Sequence, residues 1–255
     1  MKKLFLLLTF ALLVPVASRA QFTRFGAQLG NGVSYVSDDL LLSKPIFGFQ
    51  LGGYVDYEFT NWKNPWSENL YIRIGLNFTR RGTQLEQVWV LQKSIRQSFL
   101  HNWYAQIPVY VGFRYEIPSL PAGNYVNFFF GPTFNVGLYG RYWDRQVTPG
   151  MPQASNNYDT FVTGTKDDRS SFKHIRRFDG SVVVGAGYQW RNYSVDLIWD
   201  HGFVPLLRKD DVLAPFDRDV DDSGNISEEG KNHNAYTGVN QSFIICFGYQ
   251  LPIKR

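Results

Sequence analysis

The stretch NWYAQIPVYVGFRYEI, residues 102–117, decides what kind of fold this chain builds. Every second residue is apolar or aromatic: Trp103, Ala105, Ile107, Val109, Val111, Phe113 and Tyr115. Between them stand Tyr104, Gln106, Pro108, Tyr110, Gly112, Arg114 and Glu116. Side chains alternate across a β-strand, so one face is uniformly apolar and the other mixes polar, charged and very small residues. A helix would interleave the two sets around its circumference, and the two-residue period excludes it.

The same alternation recurs along the chain. Phe47, Phe49, Leu51, Val55, Tyr57 and Phe59 oppose Gln50, Tyr54, Asp56 and Glu58. Ile72, Ile74, Leu76 and Phe78 oppose Arg73, Asn77, Thr79 and Arg81. Val126, Phe128, Phe130, Phe134, Val136 and Leu138 oppose Asn127, Thr133, Asn135 and Arg141. Further segments follow over Val182 to Trp190, Tyr193 to Trp199 and Phe243 to Leu251, and a weaker one starts at Phe25, Ala27 and Leu29. Eight segments result.

Which face meets which surroundings is set by the aromatic residues. Aromatics make up 17% of the chain, yet after residue 20 no apolar run approaches the length of a membrane helix. Trp103, Tyr115, Tyr142, Trp143, Trp190, Tyr193, Trp199 and Tyr249 gather near segment ends, as in the interfacial girdles of a membrane barrel. Segments of about ten residues suit tilted strands crossing a bilayer, and closure would pair every backbone group there. Connections mostly alternate in length. Arg191-Asn192 and PSLPAGN (118–124) are short, whereas 82–101, 144–178 and 204–235 are long and polar; TNWKNPWSEN (60–69) is longer than a tight turn. The expected fold is all-β: an eight-stranded antiparallel transmembrane β-barrel, an up-and-down meander, with loops outside the cell and both termini periplasmic. A soluble barrel or sandwich is the competing fold.

Residues 1–20 read as a signal peptide and 21–255 as the barrel domain. Lys2 and Lys3 precede the apolar run LFLLLTFALLVPV, and Ser18-Arg19-Ala20 supplies small residues around a cut before Gln21. The whole chain carries 26 basic and 22 acidic residues; without residues 1–20, which hold Lys2, Lys3 and Arg19 and no acid, 23 face 22. That balance gives no reason to expect nucleic acid as a partner. Cys246 is the single cysteine, which excludes an intramolecular disulfide, a CxxC pair and a cysteine-based zinc site.

The run AQIPVYVGFRY resembles a strand signature of the PorT-like outer-membrane β-barrel family of Bacteroidetes. The strands FFFGPTFNVG, VVVGAGYQW and FIICFGYQL are similar to that family's later strands. The resemblance covers residues 22–251 and implies the barrel, with some relatives serving type IX protein secretion or gliding. It implies no catalytic residue.

Inside the barrel, Arg73, Arg81, Arg114 and Arg141 are expected to face Asp56, Glu58, Glu116, Asp196 and Asp200. An eight-stranded barrel is just wide enough to be filled by its own side chains, so these groups form a salt-bridged plug or, alternatively, line a narrow porin-like channel. A lipid A-modifying barrel enzyme would need a nucleophile and base at the rim. The histidines are His101, His174, His201 and His233; Asp200 adjoins His201, but neighbouring strand residues point to opposite faces. Ser170 and Ser171 near His174 fall in a connection.

The acidic run DRDVDDSGNISEEG, 217–230, partly matches a calcium-binding loop. Asp219, Asp221, Ser223, Asn225 and Ser227 take the oxygen-ligand positions, and Gly224 takes the turn. Gly230 stands where a bidentate glutamate closes such loops, and Glu228 and Glu229 come early. Weak structural calcium at Asp219, Asp221, Ser223, Asn225, Ser227 and Glu228 and a merely hydrated charged loop both remain open readings. No other cofactor is expected. The leading expectation is a non-enzymatic structural or accessory barrel, with outer-membrane lipid around it and envelope proteins docked on its loops and rims.

Overall fold

Polar backbone groups left unpaired at the edge of an open sheet are costly, and a sheet that closes on itself has no edge. The computed structural model describes residues 21–37, 42–59, 69–89, 94–147, 154–161, 175–208 and 236–252 and shows that closure. Its strands are β1 (Gln21–Ser37), β2 (Leu42–Lys44), β3 (Ile46–Glu58), β4 (Leu70–Trp89), β5 (Ser94–Glu116), β6 (Asn124–Val147), β7 (Ala154–Asp159), β8 (Phe178–Trp190), β9 (Tyr193–Gly202), β10 (Leu207–Arg208), β11 (Tyr236–Thr237) and β12 (Val239–Pro252). Eight long strands, β1, β3, β4, β5, β6, β8, β9 and β12, pair antiparallel in chain order, and β12 returns to β1. Leu29 is opposite Phe247 on one side and Leu51 on the other. The short strands add to this wall: β2 pairs with β4 and β7 with β6, while β10 and β11 pair with each other.

The wall turns its apolar face outward. Phe130 (62% exposed), Leu197 (58%) and Phe247 (62%) stand on it, while Asp56, Asn77, Thr133 and Asp196 are buried inside. Trp103 and Tyr115 bound the band on β5, twelve residues apart. At about 3.3 Å per residue and a strand tilt of about 40°, they are separated by about 30 Å along the barrel axis, a bilayer's hydrocarbon thickness. At the end carrying the termini, Trp190 stacks on Tyr193, which lies 5.3 Å from Tyr249. Trp103, Tyr139, Trp143 and Trp199 mark the opposite end. Tyr142, expected in that girdle, instead points inward and donates to Ser98 Oγ at 2.8 Å.

Residues 82–101 are not the long polar connection that the sequence suggests. β4 and β5 continue as a paired hairpin, with Thr83 opposite Leu100 and Trp89 opposite Ser94. Beyond the Trp103 level the two faces exchange character: Leu85 and Leu100 are buried inside, whereas Gln84, Glu86 and Gln97 face out. Lys44 Nζ reaches Glu86 Oε2 at 2.6 Å, joining β2 to this outward polar face. The period of two persists while the contrast between faces softens, with Thr83 and Ser98 also inside and Phe99 outside, as expected where water replaces lipid outside the wall. Residues 144–178 likewise contain the end of β6 and all of β7, and 204–235 contain β10.

Candidate functional site

The lumen holds the chain's polar chemistry in stacked layers. In the layer nearest the termini, Asp56 on β3 is the hub. Arg73 Nε and Nη2 donate to its two oxygens at 2.7 and 3.0 Å, a bidentate fork. Arg114 Nη2 donates to Asp56 Oδ2 at 2.9 Å, and Nη1 reaches Glu58 Oε1. Arg24 Nε closes the layer on Glu58 at 3.0 Å. Asp56 and Arg73 side chains are 0% and 4% exposed, so neither charge is hydrated by bulk water. Asp196 lies in the same half, accepts from Ser194 Oγ at 3.3 Å, and has no ion-pair partner among the described residues.

Two cross-strand slots hold the aromatic rings that face these arginines. Tyr71 is directly opposite Gly112, and Tyr54 opposite Gly26. A Cβ on Gly112 would sit 2.2 Å from Tyr71 Cζ, and one on Gly26 2.3 Å from Tyr54 Cζ. Each glycine therefore opens the space into which a neighbouring ring folds. The Arg73 guanidinium lies 3.7 Å from the Tyr54 ring centre, and that of Arg114 4.6 Å from Tyr71. These are cation–π contacts in a desolvated setting.

The next layer centres on Asp200. Arg81 Nη2 binds Asp200 Oδ2, Gln106 Nε2 donates to the same oxygen at 2.9 Å, and Asp179 lies 4.0 Å from Arg81. An amide chain leads into this layer, with Gln28 donating to Asn77 at 3.0 Å and Asn77 to Gln106 at 3.2 Å. Above it, Val36, Leu85, Leu100, Tyr104, Tyr142, Phe161, Ile175 and Leu206 form an apolar cluster across the lumen. The lumen thus holds the Asp56 ion pairs, then the amides that end on the Arg81–Asp200 pair, then the apolar cluster.

Asp56, Glu58, Arg73 and Arg114 come together as one group and Arg81 with Asp200 as another. Two expected members are elsewhere. Arg141 is outside the barrel and exposed. Trp103 is opposite Tyr139 while Tyr104 is opposite Gly137, so Leu138 is an extra residue that reverses the inside–outside phase beyond it. Glu116 is exposed at the rim, where it accepts from the Gly123 amide at 3.3 Å. Arg24 and Asp179 take their places inside. Each lies in phase with inward neighbours, Arg24 with Gly26 and Gln28, and Asp179 with Ser181 and Val183. Extending the first alternation by one step reaches Arg24, and carrying the second back through Val183 and Ser181 reaches Asp179.

His201 sits outside against Trp199, ring centres 5.6 Å apart, while Asp200 is held inside by Arg81. They do not form a dyad. His174, Ser170, Ser171 and His233, and the proposed calcium ligands Asp219, Asp221, Ser223, Asn225, Ser227 and Glu228, lie outside the described residues, as do residues 1–20. Among the described residues no cluster of three His, Cys, Asp or Glu side chains is placed to hold a metal. Cys246 faces the lumen, buried, within 3.8 Å of Gln50 Nε2.

A family model described as outer membrane protein beta-barrel domain matches residues 18–208. No curated protein matches the chain. Among solved structures, a major outer membrane protein from Thermus thermophilus is similar at 15% identity and a TM-score of 0.40, covering 91% of this chain and 100% of that one. Neisserial surface protein A is similar at 9% identity and a TM-score of 0.39, covering 88% and 96%. The Yersinia pestis attachment invasion locus protein Ail, solved with a heparin analogue, is similar at 13% and 0.32, covering 91% and 100%.

Proposed function

The chain belongs to the outer membrane protein beta-barrel domain family and is an outer-membrane β-barrel protein, and from that premise we propose that it is a non-enzymatic accessory barrel of the cell envelope. Its tight turns, among them Arg191-Asn192, face the periplasm together with both termini, and the extended β4–β5 and β6–β7 region projects outward. Outer-membrane lipid contacts the apolar band, and envelope proteins dock on the rims and loops. The specific form of this role is service to type IX protein secretion, for which the support is the PorT-like run AQIPVYVGFRY.

The observation that carries the reading is the filled lumen. Ion pairs around Asp56 and Asp200 and the apolar cluster above them leave the outer surface as the place for interaction. The separation of Asp200 from His201 supports a non-enzymatic role. The test is deletion of the gene in its native host, with quantification of proteins exported to the cell surface. Export should fall and be restored by the intact gene; unchanged export would refute the secretion role.

A further inference from the structure

Three adjacent strands place basic groups on the outer wall just beyond the apolar band. Arg80 on β4 is opposite Trp103, and His101 on β5 is opposite Arg141 on β6. All four side chains share the outward phase, and Arg80 Nη2 contacts His101 Nδ1. Arg is the permanent donor, so His101 accepts at Nδ1 and its Nε2–H remains directed elsewhere. Arg141 is exposed and lies 5.6 Å from the Tyr139 ring. Among the described residues it makes no ion pair, although Asp159 on β7 is its register partner. Arg145 follows on the same face of β6, and its Nε has no hydrogen-bond partner.

Arginines that no described carboxylate binds, set at the end of a lipid-facing wall, match the chemistry of a phosphate held by guanidinium forks. The flanking surface fits the rest of such a ligand. Trp103, Tyr139 and Trp143 lie among the bases, with Trp143 stacked on Phe99 at 4.8 Å. Down the same outward face of β6, Val136 and Phe134 line a cleft of about 530 Å³ with Phe178 and Phe203. Arg176 and Arg177 also border this cleft.

We propose that Arg80, His101 and Arg141 form a binding site for the headgroup phosphate of a phosphorylated membrane lipid, with its acyl chains against the apolar wall below. The inference rests on the membrane-inserted reading above. Asp159 faces Arg141 across the strand pair and offsets one positive charge, and Arg80 with Arg145 keeps the site cationic.

The experiment is native mass spectrometry of the folded protein released from detergent, with bis-phosphorylated lipid A as the probe. Wild type should retain the lipid. The R80Q/R141Q variant, its folding checked by heat-modifiable gel mobility, should retain about tenfold less, the loss expected when charge-assisted hydrogen bonds to phosphate go. Dephosphorylated lipid should bind wild type and variant equally weakly. Equal retention of the phosphorylated lipid by both proteins would overturn the site, as would displacement by inorganic phosphate at equal concentration, which would mark a free-anion site. If wild type shows no heat-modifiable mobility and does not enter vesicles, the membrane-inserted premise itself fails.

Discussion

Replacing Arg73 by methionine probes the buried network at its hub. Methionine keeps the apolar stem but removes the fork that donates to Asp56 at 2.7 and 3.0 Å. Asp56, 0% exposed, would remain with Arg114 Nη2 at 2.9 Å. Breaking a buried ion pair by removing one partner costs about 3–5 kcal/mol, because the other charge stays buried. The remaining Arg114 contact offsets part of this, while losing the cation over Tyr54 adds up to about 2 kcal/mol, so a destabilisation of about 3–5 kcal/mol is expected. The assay is urea unfolding in lipid vesicles, followed by tryptophan fluorescence and gel mobility. The double variant R73M/D56L, which removes both charges, should cost at least about 1.5 kcal/mol less than the two single changes added together. A loss below about 1 kcal/mol in R73M would refute the reasoning, since that is the scale of a solvated pair and would mean that water fills the lumen.

Two further outcomes follow from the same geometry and one from the sequence alone. Gly112→Ala should lose about 1–3 kcal/mol by expelling the Tyr71 ring from its slot, and the loss should largely vanish in a Tyr71→Ala background; both are read by thermal melting in detergent. Phe130→Arg, in the middle of the exposed band, should cost about 2–4 kcal/mol in vesicle unfolding, whereas Ala122→Arg in the turn before β6 should be nearly neutral. Calorimetry on the full chain decides between the two readings of the run 217–230: heat at millimolar calcium that disappears in D219A/D221A marks a weak calcium loop, and no heat marks a hydrated charged loop.

The alternation over 102–117 is enough to expose the barrel because a lipid-facing strand meets two contrasting environments along its whole length. Where the contrast changes, the sequence misleads. Gln84, Leu85 and Glu86 belong to the same continuous strand as Ile74 and Leu76, but hydrocarbon has moved inside and polarity outside, so the run resembles a loop. A single extra residue at Leu138 moves Arg141 to the outer face, and period-two alternation does not anticipate it because Leu138 and Tyr139 both face outward. The pairing of Asp56 with both Arg73 and Arg114 follows from register, which sequence does not specify; only the near balance of inward charge is legible. The Gly112–Tyr71 and Gly26–Tyr54 slots are hidden for the same reason, being matches across strands.

Side chains close the lumen from the Asp56 layer to the apolar cluster around Leu85 and Tyr142. Single-channel recording of the purified, refolded protein in planar bilayers tests this closure most directly. A filled lumen gives insertion without steady ionic current, whereas stable conducting steps from the wild-type protein would show an open path through it.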